Sequence, residues 1–235
     1  TVGSTVATTL TLTRALIVVN NFTIEANGSV EHPSSTISMR TGNWINNGQY
    51  KTQANGARII FQGISQSIGG SSITTFRRFV ILASSTVSLQ QNVVIDSLGS
   101  MLDLYGTLDP GMSPTYTLSS AIRTKINPTG RIKINAALFT SNYVLGGSVT
   151  FYAGSVADYS STVTNQTISS AYSYSTLMTS GSGTKSLAAN LLPMYGKNSI
   201  QGRIIVNTGT TLDLLTFTAN RSTTVAGGEL NVANG

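Results

Sequence analysis

Apolar and polar residues alternate along most of this chain, and the alternation never runs far before an asparagine or glycine breaks it. Leu10 and Leu12, Leu16 and Val18, Phe22 and Ile24, and Ile37 and Met39 keep the period of two that places side chains on one face of a β-strand. Between such runs stand Asn20-Asn21, Asn27-Gly28, His32-Pro33, Asn46-Asn47-Gly48, Asn55-Gly56 and Gly69-Gly70. Asn and Gly take up positive φ at little cost, so a turn is expected about every eight to twelve residues. The segments 137–145 and 186–195 come nearest to a helix in composition. Neither carries a capped 3.6-residue pattern, so both are expected to be non-helical.

Strands this short bury little by themselves, and the order of motifs suggests how they combine. "QSIGGSSITTF…VSLQQNVVIDSLGSMLDL", from Gln66, is echoed by "QTISSAYSYST…KSLAANLLPMYGKNSIQGRIIVNTGTTLDL", from Gln166. Leu89 to Asn92 matches Leu187 to Asn190, and Met101 to Leu104 matches Thr211 to Leu214. Within each copy a finer pattern of strand and turn points to stacked rungs, with "ANGSV", "LGSMLDL" and "NTGTTLDL" as rung ends. The expected fold is all-β: a right-handed parallel β-solenoid (β-helix) spanning 1–235 as one unit, with two imperfect repeats at about 8–110 and 147–220. Rungs of roughly 20 to 25 residues would number about ten. Tandem β-sandwich domains are the alternative. The two differ in pairing: a solenoid strand pairs one rung away, a sandwich strand with its hairpin neighbour.

Composition narrows the setting. Charged residues make up 9% of the chain, so exposed positions must be filled mainly by Thr, Ser, Asn and Gly, as in extracellular β-proteins. There is no cysteine, which removes disulfides and thiolate metal sites. No apolar run approaches the roughly 20 residues that cross a bilayer as a helix, and membrane insertion is not expected. The formal charge of +6 comes from scattered residues without a like-charged run, which favours weak attraction to acidic glycans over nucleic-acid binding. Thr1 follows no leader, so the chain is expected to be a mature product or a segment of a secreted protein.

"TGNWINNGQYKTQANGARIIFQGISQSIGG", followed by "VSLQQNVVIDSLGSMLDLYGTLDPG", resembles the repetitive segments of very large Bacteroidetes surface proteins exported by the type IX secretion pathway. In both, a Gly-Asn-Trp step, an Asn-Asn-Gly turn, a Gln-Ser/Thr-Ile step and a Leu-x-x-Asn-Val rung follow in this order. The likeness covers about residues 8–110 and, more loosely, 147–220, where the Gly-Asn-Trp step is missing. It implies a β-helix-like stalk, surface display and adhesion. The resembling repeats also carry an aromatic at the place of Trp44, which is expected to be a buried plug at a solenoid corner.

Acid–base chemistry on a β-helix needs two or three carboxylates on adjacent rungs. Asp96, Asp103 and Asp109 are the nearest approach. Asp103 should point away from the face of Leu102 and Leu104, and Asp109 should serve the Pro-Gly turn as an Asx residue. Asp213 repeats Asp103, as a structural residue would. His32 has no second His or Cys at metal-ligand spacing. No catalytic residue, metal or cofactor is assigned. A polysaccharide lyase or glycosidase is the enzymatic alternative, and a carbohydrate-binding module a third.

Two groups remain as contact candidates for acidic glycan or for another subunit. In "AIRTKINPTGRIKIN", Arg123 with Lys125 and Arg131 with Lys133 flank an Asn127-Pro128-Thr129-Gly130 turn. All four are expected on one side, with Ile122, Ile126, Ile132 and Ile134 opposite. In "SAYSYST", Tyr172 and Tyr174 are expected on one strand face, where they either fill the core or stack on sugars. Both termini read as strands, so open edges are expected to pair end to end with further rungs or other copies. The expected function is therefore a non-enzymatic extracellular stalk, adhesin segment or filament subunit.

Overall fold

The structure is a computed structural model that describes residues 1–3, 5–53, 56–96, 101–112, 115–120, 122–194, 202–221 and 228–232. Asn55 of one expected turn and Leu98 to Ser100 of one expected rung end lie outside these residues.

Every strand pairing among the described residues is parallel, and each joins segments about one turn of chain apart. In the longest sheet Phe22 pairs with Trp44, and Trp44 with Ile68. The same sheet continues from Val156 to Thr176 and from Thr176 to Arg203. No hairpin pairing occurs among the described residues, and the chain is a parallel β-solenoid rather than a pair of sandwiches.

Three faces close each turn. Sheet 1 has ten strands, beginning at Phe22–Ile24 and Trp44–Asn46, passing through Thr107–Asp109, Arg131–Ile134 and Val156–Tyr159, and ending at Gly228–Val232. Sheet 2 has seven, from Leu16–Val18 through Ala57–Phe61, Arg78–Ile81, Met101–Leu104 and Arg123–Ile126 to Ser148–Phe151. The third face is broken into shorter ladders, among them Thr8–Thr11 with Gly28–His32 and Gln49–Thr52, and Gln166–Ile168 with Gly183–Leu187 and Thr210–Asp213.

Period-two alternation sends one set of side chains into the column. Ile24, Ile37, Met39, Ile59, Phe61, Phe79, Ile81, Leu102 and Leu104 are buried in one continuous core. Trp44 belongs to it, wholly buried, but it lies within a strand of sheet 1 rather than at a corner. It stacks on Phe22 of the turn before, with ring centroids 4.7 Å apart.

The asparagines do more than permit turns. Asn21 Oδ1 accepts the backbone N–H of Asn43, and Asn43 Oδ1 accepts that of Ser67, each at 2.8 Å. Asn92, Asn165 and Asn190 receive Thr117, Thr184 and Thr218 in the same way, each at 2.9 Å. The side-chain amide thus clips each of these asparagines to a backbone N–H of the following turn, at a corner or just inside the next strand. Close stacking of corners also dictates glycine. A Cβ on Gly48 would lie 2.3 Å from the carbonyl oxygens of Glu25 and Gly28, and one on Gly106 2.3 Å from those of Leu82 and Ser85.

One departure from the expected strands occurs at Phe139–Asn142, which forms a single helical turn. Its cause is local polar bonding rather than periodicity. Asn142 Oδ1 accepts the N–H groups of Asn135 and Ala136, both at 2.8 Å, while its Nδ2 donates to Tyr116 O at 3.2 Å.

The hundred-residue echo has an unexpected form. Gln66 lies in sheet 1 and Gln166 on the third face, so the similarity does not carry strand onto equivalent strand. What repeats is a device. Gln66 Oε1 accepts Gly63 N at 2.7 Å and its Nε2 donates to Gly42 O at 2.8 Å. Gln166 likewise accepts Ser161 N at 3.0 Å and donates to Ile134 O at 2.8 Å.

Candidate functional site

The densest chemistry lies on the outer side of sheet 1, where the strands Thr107–Asp109, Arg131–Ile134 and Val156–Tyr159 follow one another. Ile132 and Ile134 are buried inward, which turns Arg131 and Lys133 outward. Lys133 donates to Asp109 Oδ2 on the preceding strand at 2.7 Å. Lys133 is also the register partner of Asp158 on the following strand, yet Asp158 pairs instead with Arg131, whose Nε reaches Oδ2 at 3.1 Å and whose Nη2 makes a shorter contact to the same oxygen.

Neutral groups complete the set. Asn135 Nδ2 donates to Asp109 Oδ1 at 2.8 Å and to Gly111 O at 2.8 Å, and Gly111 N–H donates to Asp109 Oδ1 at 3.0 Å. Asp109 is therefore the Asx residue expected, and a salt-bridge partner as well. Ser180 donates to Asp158 Oδ1 at 2.7 Å, and the Asp158 side chain is fully buried.

This arrangement corrects the four-cation face. Arg123 and Lys125 lie in sheet 2 and Arg131 and Lys133 in sheet 1, because Asn127 to Gly130 is a solenoid corner that passes the chain between sheets. Thr124 and Ile126 are the inward residues opposite Arg123 and Lys125, and Ile122 is exposed. Arg131 and Lys133 are spent on carboxylates of neighbouring turns.

The tyrosines are also placed differently. Residues 171–174 form no strand. Tyr174 is fully buried, its hydroxyl 3.1 Å from that of Tyr159 and donating to Ser169 O at 2.7 Å, so it offers no stacking surface. Tyr172 is half-buried against Phe139, with centroids 4.8 Å apart. Burial pushes the hydroxyl pKa of Tyr174 up, and that of Tyr159 to about 12.

The remaining acids have separate partners. Asp96 bridges Arg77 of the preceding turn at 3.2 Å. Asp103 points out of sheet 2, as its alternation with Leu102 and Leu104 requires. Asp213 accepts Leu215 N–H at 2.9 Å, which makes it the counterpart of Asp109 rather than of Asp103. His32 is buried, with Nδ1 2.6 Å from the Tyr50 hydroxyl and Nε2 3.2 Å from Ser35 O. Burial lowers its pKa, and the contact with the Ser35 carbonyl opposes that shift.

Sequence reading missed Lys185. It is buried on the third face, donating from Nζ to Ser161 O at 3.0 Å and Ser182 O at 2.8 Å. Desolvation lowers its pKa to about 8, against the opposing pull of the Asp158 charge. The unfolded chain keeps that proton up to about pH 10.5, so between the two values it binds more protons than the folded chain, and stability must rise with pH. Above about pH 10 the sign reverses, because buried Tyr50, Tyr143, Tyr159 and Tyr174 resist ionisation while their unfolded counterparts do not. Melting temperature is expected to climb from about pH 8 to about pH 10 and then drop, and Lys185→Met to flatten the climb. A profile that falls steadily from pH 8 in the parent chain would refute this assignment.

An apolar cavity of about 710 Å³ lies against the Gly202–Val206 and Thr210–Asp213 strands, lined by Ile204, Val206, Leu212, Leu214 and Phe217. Among the described residues, its lining offers threonines as its polar groups and no ionisable side chain. No group of three or more His, Cys, Asp or Glu able to hold a metal occurs among the described residues, and no helix there is long and apolar enough to cross a membrane. No protein-family model, curated protein or solved structure matches the chain.

Proposed function

We propose that this chain is a non-enzymatic structural segment displayed outside the cell, a stalk, adhesin segment or filament subunit that acts through rigidity and repeated weak contacts. One observation carries the reading: the ion pairs and the asparagine clips work between successive turns. The pairs Arg77–Asp96, Asp109–Lys133 and Arg131–Asp158 each join neighbouring turns, as do the asparagine clips. A column stitched along its axis by bonds between successive turns is suited to spacing and display. The sparse charge and the resemblance of residues 8–110 to Bacteroidetes surface segments support the same setting.

End-to-end contact with other copies belongs to this proposal. Among the described residues, Thr8–Thr11 and Leu16–Val18 each have a paired strand on one side only, and Ile17 and Val19 beside them are exposed. An unpaired edge is a template for strand addition. Sedimentation over a concentration series is expected to show a growing ladder of oligomers, and Thr9→Pro to suppress it. Antibody labelling of intact source cells is expected to succeed without lysis. A chain that stays monomeric at every concentration and is reached only after lysis would sink the reading.

A second reading, polysaccharide cleavage, draws on Asp109 and Asp158 lying two strands apart on one face of sheet 1 with Arg131 and Lys133 between them. A general base needs a lone pair free to face its substrate. Here each carboxylate is engaged by a cation and a neutral donor, which favours the structural reading.

A further inference from the structure

We infer that the outer face of sheet 2 binds a linear carboxylated polysaccharide laid along the solenoid axis, with Arg58, Arg78, Arg123 and Lys125 as its contacts. The inference rests on the display reading and names what the displayed face holds.

Inward residues fix which side chains face out. Ile59 and Phe61, Phe79 and Ile81, and Leu102 and Leu104 fill the core, which leaves Arg58, Arg78, Met101 and Asp103 pointing outward. Arg58 is the register partner of Arg78, and Arg78 of Met101. One strand further, Leu102 pairs with Thr124, which places Arg123 next in the same column, while Lys125 is the partner of Asp103. Three arginines thus form a file parallel to the axis over four consecutive strands, spanning roughly 14 Å at the usual strand spacing.

This charge is unbalanced. Arg58, Arg78, Arg123 and Lys125 form no ion pair among the described residues, whereas Arg131 and Lys133 on sheet 1 are both paired. Asp103 is the one carboxylate on this face among the described residues, and it is nearly buried. Arg78 Nε is buried without a hydrogen-bond partner. Like charges directly opposite one another on a sheet are destabilising. Guarding a sheet edge does not explain them, because Arg58, Arg78 and Arg123 sit on interior strands of the seven. An anion lying across them relieves the repulsion.

The chemistry selects the class of anion. Arginine offers a planar fork that matches carboxylate geometry in two bonds, and three of the four cations are arginine. Arg58 and Arg78 stand on adjacent strands and Arg123 two strands further on, so the file meets acid groups distributed along a linear chain. The column's outward neighbours are Thr36, Met101 and Ser148, with no aromatic ring on which a base could stack, and four cations are few for a dense phosphate backbone.

The test is titration of the whole chain with polygalacturonate oligosaccharide at low salt. Binding is expected to weaken steeply with added salt and to drop at least tenfold in the Arg58→Gln, Arg123→Gln double variant, whose fold is checked by its melting temperature. The Arg14→Gln, Lys51→Gln double variant, with both exposed cations off this face, is expected to bind as the parent does. The proposal is overturned by absent binding at low salt, by equal loss in the two double variants, by unchanged binding in the first, or by equally tight binding of oligo-dT or neutral dextran. Should the chain still be surface-exposed and self-associating but not bind, this inference alone fails.

Discussion

Replacing Trp44 with alanine is expected to cost about 3 to 5 kcal/mol, the range found when a buried aromatic is cut back and its cavity stays open. Trp44 is wholly buried, stacked on Phe22 and meeting the edges or faces of Tyr50 at 4.8 Å and Phe76 at 5.3 Å. Those rings come from different turns and different faces, so no single neighbour can shift to fill the space. Its Nε1 also donates to Thr74 Oγ1 at 3.1 Å, an oxygen within reach of Asn46 Nδ2 at 3.2 Å and Gln91 Nε2 at 3.1 Å. Alanine therefore removes one donor from a buried polar cluster as well.

A solenoid couples mainly nearest neighbours, which makes the location of the damage as informative as its size. Hydrogen exchange in Trp44→Ala is expected to speed up across the strands Phe22–Ile24, Ser65–Gly69 and Thr74–Phe76, with little change from Val156–Tyr159 onward. Denaturation followed by far-UV circular dichroism supplies the magnitude. A loss under about 1 kcal/mol, or exchange that accelerates evenly along the chain, would show that Trp44 is no centre of packing.

The residues that announce the fold are those whose meaning is local. Period-two alternation marks the strands and Asn-Gly pairs mark the corners, while stacking is legible in the repeated rung ends and the burial of Trp44 in the resemblance to repeats that carry an aromatic there. Partners a full turn away left no such mark. "IRTKINPTGRIKIN" reads locally as two basic strand faces around a tight turn, yet the turn at 127–130 is a corner that delivers its flanks to different sheets. Asp109 and Asp158, the carboxylates that engage Lys133 and Arg131, lie 24 and 27 residues from them.

A signal for the sheet 2 column did exist. Arg58 in "ARIIF" and Arg78 in "RFVI" stand at the same outward position of successive rungs, a coincidence visible once the rung length is known. Lys185 gave none, since its burial depends on the carbonyls of Ser161 and Ser182 meeting at one corner. The helical turn at 139–142 was hidden for a similar reason, being held by Asn142 bonds to residues outside it.

Removing Arg131 is expected to be damaging by a different route. Arg131→Met keeps most of the apolar stem and the contact region of Met178, but it strips the counter-charge from Asp158, whose side chain is fully buried. Breaking a buried pair from one side typically costs about 3 to 5 kcal/mol, because the remaining charge keeps its desolvation penalty without its partner. Ser180 still donates to Oδ1, and the Lys185 charge still acts on Asp158, which places this variant toward the lower end, about 3 kcal/mol. The Arg131→Met, Asp158→Leu double variant is expected to recover most of that loss, since no charge is then left stranded in the face of sheet 1. A purely steric role for Arg131 predicts the opposite: the double variant would then be worse than the single one.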